Sequence, residues 1–186
     1  MGCGSAPIGY HRRHGSARGR FLAPGTPAGQ NWGMNISLEA IGHVRGGRTE
    51  VVDDNWGGVE AVIELDAARF TAESLAGLDA FSHVVVVYHF HRADPQKIEL
   101  AARHPRNNPA WPKLGIFAQR GKNRPNLLGV STCRLLGIDG LRVRVQGLDA
   151  VDGTPVVDLK PFMAAFEPRG EIREPAWVAE IMARYW

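Results

Sequence analysis

Residues Arg134–Gln146 read RLLGIDGLRVRVQ, and they decide the fold. Leu141, Val143 and Val145 alternate with Arg142, Arg144 and Gln146. A period of two puts the apolar set on one face of a strand and the polar set on the other. Arg134–Ile138 supplies a preceding strand, and Asp139-Gly140 is a dipeptide that suits a type I′ hairpin turn. Working outward, Val59–Leu65 alternates Val, Ala, Ile and Leu with Glu60 and Glu64, as a half-exposed strand does. Val84–Phe90 is a β-prone run, apolar on both faces at its start and therefore expected in the middle of a sheet. Val156–Leu159 reads as another short strand, and His104–Pro112 as a loop punctuated by three prolines. Two short helices are expected. Thr71–Leu78 has Thr71 as N-cap, and the last starts at Pro175, with Trp177–Ile181 and Val178–Met182 as an apolar stripe. Many short strands with turn signals and few helices predict a mainly β fold. The expected form is a small closed antiparallel β-barrel with a few short helices and a C-terminal helix.

The 186 residues suffice for one core without disulfides or metal. Residues 1–33 carry Arg12, Arg13, Arg18 and Arg20 and no carboxylate; the remainder has 18 basic and 19 acidic residues. The Gly/Pro/Arg-rich 1–33 segment is expected to be a disordered extension, with 34–186 forming a single barrel domain. Cys3 and Cys133 make neither a disulfide frame nor a zinc pattern. No apolar run reaches the ~20 residues of a membrane span. A reduced, cytoplasmic setting without membrane attachment is the expectation.

Two polar, turn-rich segments flank the hairpin. GIFAQRGKNRPNLLGVS, from Gly115 to Ser131, sets Arg120 and Arg124 on either side of Gly121-Lys122-Asn123. GLDAVDGTPVVDLKP, from Gly147 to Pro161, holds Asp149, Asp152 and Asp158. Neither is a P-loop, since Lys122 is followed by Asn, and no strand–GxG–helix unit exists to cradle a nucleotide. Guanidiniums can pair a ligand carboxylate through two parallel hydrogen bonds. They can equally hold the loop to Asp149 or Asp158, and both readings stay open on spacing alone. Asp149 and Asp152 suit turns, and one of the two is expected to be structural. Asp158 and Lys160 are expected to pair and anchor a strand end.

Together these segments resemble the signature of the TsaA-like (TrmO) family of S-adenosylmethionine-dependent tRNA methyltransferases, FATRSPxRPNPIGxS followed by GxDxxDGTPVxDIKPY. The resemblance extends from Ile41 to Phe162, taking in IGHVRGG and LAGLDAFSHVVVVYHFHR. The chain departs from it at Gly121-Lys122-Asn123, where the family has Ser-Pro, and at Leu127-Leu128, where it has Pro-Ile. It has Asn55-Trp56-Gly57-Gly58 where the family has an early Pro-Arg-Gln that helps hold the donor.

The resemblance implies an antiparallel barrel, S-adenosylmethionine as methyl donor, tRNA as partner and a homodimer. The implied acceptor is N6 of threonylcarbamoyladenosine next to the anticodon. It implies donor contacts by His91, Arg92, Arg120, Val130, Asp152, Gly153 and Thr154, and Lys122, Arg124 and Asn126 are the candidates to contact the acceptor. Asp149 and His91 are the candidates for a base, and no metal is implied. Two rivals remain: a non-catalytic module that binds S-adenosylmethionine or RNA, and a metal-dependent hydrolase built on His83, His89 and His91 with His104 or an aspartate. Trp56 and Trp111, placed in loops, are candidates to stack on a base.

Overall fold

The computed structural model of the chain describes residues 35–186. The expected 1–33 extension lies outside them. Strands β1 (Gly42–Arg45), β2 (Glu60–Leu65), β3 (His83–His89), β6 (Leu128–Asp139), β7 (Arg142–Gln146) and β8 (Pro155–Pro161) close into a six-stranded barrel, ordered β1-β2-β7-β6-β3-β8. Every pairing is antiparallel. Two further short strands, β4 (Ala102–Arg103) and β5 (Leu114–Gly115), pair with each other outside it. One α-helix, α1 (Ala176–Met182), follows near the end.

The alternating residues read from the sequence fill the barrel. Val143 and Val145 of β7, Ala61, Ile63 and Leu65 of β2, and Val84, Val86 and Tyr88 of β3 are all buried. Arg142, Arg144, Glu60 and Glu64 stand outside, where Arg144 pairs with Glu60 and Glu64 with Arg45. A small barrel with its interior filled by side chains leaves no channel, so ligands must bind at an end or on the wall.

Three expectations need correction. The hairpin loop is Gly140-Leu141, because Asp139 pairs with Arg142, and only Gly140 has positive φ (57°). Glycine at the first central position is the II′ pattern, not I′. Thr71–Leu78 is not one helix but two single 3₁₀ turns, Ala72–Leu75 and Leu78–Ala80, and the Thr71 side chain caps nothing. Gly77, at φ 81°, breaks the run. Finally, β6 begins at Leu128, six residues before Arg134, and its first half runs against β3.

The topology sorts the connections by end. Residues 46–59, 90–127 and 147–154 all turn at the end where β3 finishes and β6 and β8 begin. This end is the rim. The hairpin tip and residues 66–82 occupy the far end. The turns of both polar segments, residues 115–127 and 147–154, therefore belong to the rim.

Candidate functional site

His91 and Arg92 follow β3, Arg120 to Asn126 precede β6, and Asp152 to Thr154 precede β8, so the antiparallel register gathers all of them at the rim. Arg120 donates from Nη2 to the Val130 carbonyl (2.7 Å), and Arg92 from Nη1 to the Thr49 carbonyl (2.6 Å). Arg124 donates to the Gln119 carbonyl (3.3 Å). Neither Arg120 nor Arg124 pairs with Asp149 or Asp158, so the purely structural ion-pair reading of these arginines fails. Asp158 instead meets Lys160 (2.6 Å), as expected of a strand-end pair. Val130 points outward from β6 and is 44% exposed. It lies opposite Val87 of β3, so two valines form an apolar strip on the wall beneath Arg120.

The 149–154 turn is braced on both sides. Asp152 accepts from the Gly46 N–H (2.8 Å), and its own N–H donates to Arg48 O (2.7 Å). The Gly153 N–H donates to Val44 O and the Thr154 N–H to Val151 O, so neither is open to a ligand. Thr154 is itself buried. What this turn offers outward is the second Asp152 oxygen and the close approach that glycine permits at φ 78°.

Asp149 sits inside the rim as a hub. Its Oδ1 accepts from Tyr88 Oη (2.6 Å) and from Ser131 Oγ, and its Oδ2 from Tyr185 Oη. Burial, and then the neighbouring carboxylate charge, push both phenols well above the ordinary tyrosine range, so they remain donors. Of the two aspartates in the turn, Asp149 is thus the structural one. Burial, with Asp149 adding, also pushes the Cys133 thiol up to about 12, which leaves it unreactive at neutral pH.

His91 is exposed at the rim, and its imidazole lies below the ordinary histidine value of 6.5. Partial burial is the main cause, followed by the charges of Arg92, His89 and His43. His83 stands at the opposite end of β3 from His89, and the His104 ring nitrogen engages the Trp111 carbonyl (2.7 Å). Among the described residues no group of three or more His, Cys, Asp or Glu gathers to hold a metal, so the hydrolase reading loses its ligand set.

Of the two tryptophan candidates Trp56 is committed elsewhere and Trp111 is held at its edge. Trp56 is buried, with the Arg48 guanidinium 4.8 Å above its ring, and Trp111 Nε1 donates to Glu180 Oε2 (2.7 Å). The C-terminal segment accounts for both. Arg184 and Tyr185 accept at their carbonyls from the Asn55 and Trp56 N–H groups (2.7 Å each), strapping the segment across the rim. These contacts seat the aromatic C-terminal segment on its own chain. Sequence reasoning missed Tyr88, Ser131 and Tyr185 as partners of Asp149, because they lie 61, 18 and 36 residues from it.

A closed six-stranded antiparallel barrel with a polar, arginine-bearing rim defines the class. A model of the tRNA-methyltransferase O N-terminal domain matches residues 54–167, and the chain belongs to that family. The tRNA (adenine(37)-N6)-methyltransferase of Homo sapiens is 35% identical over 102 residues, covering 55% of this chain and 23% of that protein. A Pyrococcus abyssi protein named "Probable S-adenosyl-L-methionine-binding protein" is 37% identical over 102 residues, covering 55% of this chain and 53% of that one. The crystal structure of TrmO from Pseudomonas aeruginosa matches with a TM-score of 0.61 at 30% identity, covering 75% of this chain and 62% of that chain. The chain therefore spans less than two thirds of each of these proteins.

Proposed function

We propose that this chain is an S-adenosylmethionine-dependent methyltransferase acting on tRNA, with N6 of threonylcarbamoyladenosine next to the anticodon as acceptor. The observation that carries the reading is the meeting of His91, Arg92, Arg120, Val130 and Asp152 at one rim of a barrel of this family. The chemistry of those side chains fits the donor. Arg120 and Arg92 each commit one N–H to a backbone carbonyl, which fixes the guanidinium plane and leaves the rest of the fork for a carboxylate. Asp152 keeps one oxygen for a ribose hydroxyl or an amino group. Val130 and Val87 offer an apolar wall.

When bound, S-adenosylmethionine supplies an electrophilic methyl on a cationic sulfonium. The protein's task in an in-line displacement is alignment and exclusion of water. Arg120 orients the methionine carboxylate, Asp152 the ribose, and Lys122, Arg124 and Asn126 face the acceptor. Of the two candidate bases, Asp149 already accepts from three hydroxyls, whereas His91 has an exposed ring to take the proton from N6. Only neutral imidazole can accept. Because its value lies below 6.5, the acid limb of kcat/KM is expected below pH 6.5 and is lost in His91→Gln. An acid limb at or above that value, or one unchanged by the substitution, would remove His91 from the reaction.

Assembly as a homodimer belongs to the same reading, and a solution mass of two chains tests it. Labelled-methyl transfer tests the whole. The substrate is bulk tRNA from a strain lacking the methylation, compared with tRNA that lacks the threonylcarbamoyl group. Label entering only the first is expected; label in neither contradicts the reading.

A further inference from the structure

Between β3 and β6 the chain leaves the barrel and builds a lobe. β4 pairs with β5, and Gln119 Nε2 ties them by donating to the carbonyls of Arg103 (3.0 Å) and Leu114 (2.8 Å). The Glu99 N–H donates to Asn123 O (3.1 Å), closing the lobe across its base, and Ile116 is buried beneath. Its surface is therefore held in shape.

The charge of the described residues is sharply divided. Residues 97–126 carry seven Lys and Arg against a single carboxylate, Glu99, while the other described residues carry eleven against eighteen. Lys97 is matched by Asp94 and Arg106 by Asp54. Arg103, Lys113, Arg120, Lys122 and Arg124 form no salt bridge among the described residues. The Glu99 carboxylate turns to its own chain, accepting from the Ala101 N–H (2.7 Å). The same stretch carries Phe117, 80% exposed and in the 3₁₀ turn that leads to Arg120.

A lone exposed apolar side chain needs no explanation. An exposed aromatic ring in a stretch so rich in unmatched cations does, since it is the composition that holds single-stranded nucleic acid: cations track phosphates and the ring stacks on a base. A paired duplex keeps its bases stacked internally, so the ring selects an unpaired segment. The lobe also adjoins the candidate donor site, because Arg120 bonds to the Val130 carbonyl on β6. We propose that the 97–126 lobe is the surface that grips unpaired RNA, with Phe117 as stacking platform and Lys113 as a phosphate contact. This rests on the reading of an RNA acceptor, but its test is separate.

The test is fluorescence anisotropy of the full chain with a labelled stem-loop RNA and with the same stem closed as a duplex. Phe117→Ala is expected to weaken stem-loop binding on the order of ten-fold. Lys113→Ala is expected to lower the slope of log K against log salt by about 0.7. Arg142→Ala, at the far end, leaves binding unchanged, and neither lobe variant alters titration with S-adenosylmethionine. Wild-type binding by Phe117→Ala and Lys113→Ala, or equal affinity for the duplex, overturns the proposal. Donor binding without RNA binding would sink this surface alone. RNA binding through Phe117 without donor binding would uphold the surface and sink the methyltransferase reading.

Discussion

Asp149→Ala is expected to lower the stability of the protein by about 2–4 kcal/mol, because it removes the shared acceptor of buried hydroxyl donors. Three hydroxyls converge on this carboxylate, from β3, β6 and the C-terminal segment. Tyr88 and Ser131 are 1% and 4% exposed, so water cannot replace the lost acceptor, and Tyr88 Oη keeps only two long contacts of 3.3 Å, to Ser131 Oγ and the residue-149 carbonyl. Each stranded buried donor costs roughly 1–3 kcal/mol, which outweighs the small gain from leaving fewer polar groups to desolvate. For a domain of this size the melting temperature should fall by roughly 10 °C. Tyr185→Phe removes only the strap's hydrogen bond to the charge and should cost about 1.5–3 kcal/mol. Denaturant unfolding of both variants gives the comparison. A loss under about 1 kcal/mol for Asp149→Ala would mean the hub does not hold the rim together.

Gly129→Ala is the second large effect, and it follows from a contact. A methyl group at Gly129 would lie 2.3 Å from Tyr88 Cε2 and 2.4 Å from Cζ, well inside van der Waals contact. A surface ring would simply swing away. The Tyr88 ring cannot, because its hydroxyl is held by Asp149 and its edge meets Phe90 at 5.3 Å between centroids. Forcing it aside overpacks the core and breaks the hub together, so the loss should reach about 3 kcal/mol, the upper part of the range for overpacking. Tyr88→Phe in the same background is expected to recover part of the loss, because a ring without the hydroxyl bond can move. If Gly129→Ala unfolds at the wild-type denaturant concentration, the ring does not lie across β6 as described.

These two residues also mark where the sequence stops being legible. The β2 and β7 strands announce themselves because their buried faces are Ala, Ile, Leu and Val at a period of two, and β3 because it is a run of β-prone residues. The first half of β6 does not, since its inward positions are Gly129, Ser131 and Cys133. Those residues are there for Tyr88 and Asp149, not for strand propensity, and only the three-dimensional contact explains them. The β4 and β5 strands, two residues each, carry no periodic signal at all. Trp56 reads as a loop aromatic free to stack because nothing local shows that Arg48 and the C-terminal strap bury it. The candidate donor residues were legible for a different reason. They lie in two connections, 90–127 and 147–154, and at the start of β6, where the residue order is distinctive, and antiparallel closure then brings these stretches to one end.

The central claim is that the rim binds a methyl donor through Arg120. Calorimetric titration of the folded wild type and of Arg120→Ala with S-adenosylmethionine tests it most directly. Saturable binding is expected of the wild type. The variant should lose at least ten-fold in affinity, as when a guanidinium–carboxylate pair worth about 1.5–3 kcal/mol is removed. No binding by the wild type, or equal binding by both proteins, would contradict the claim.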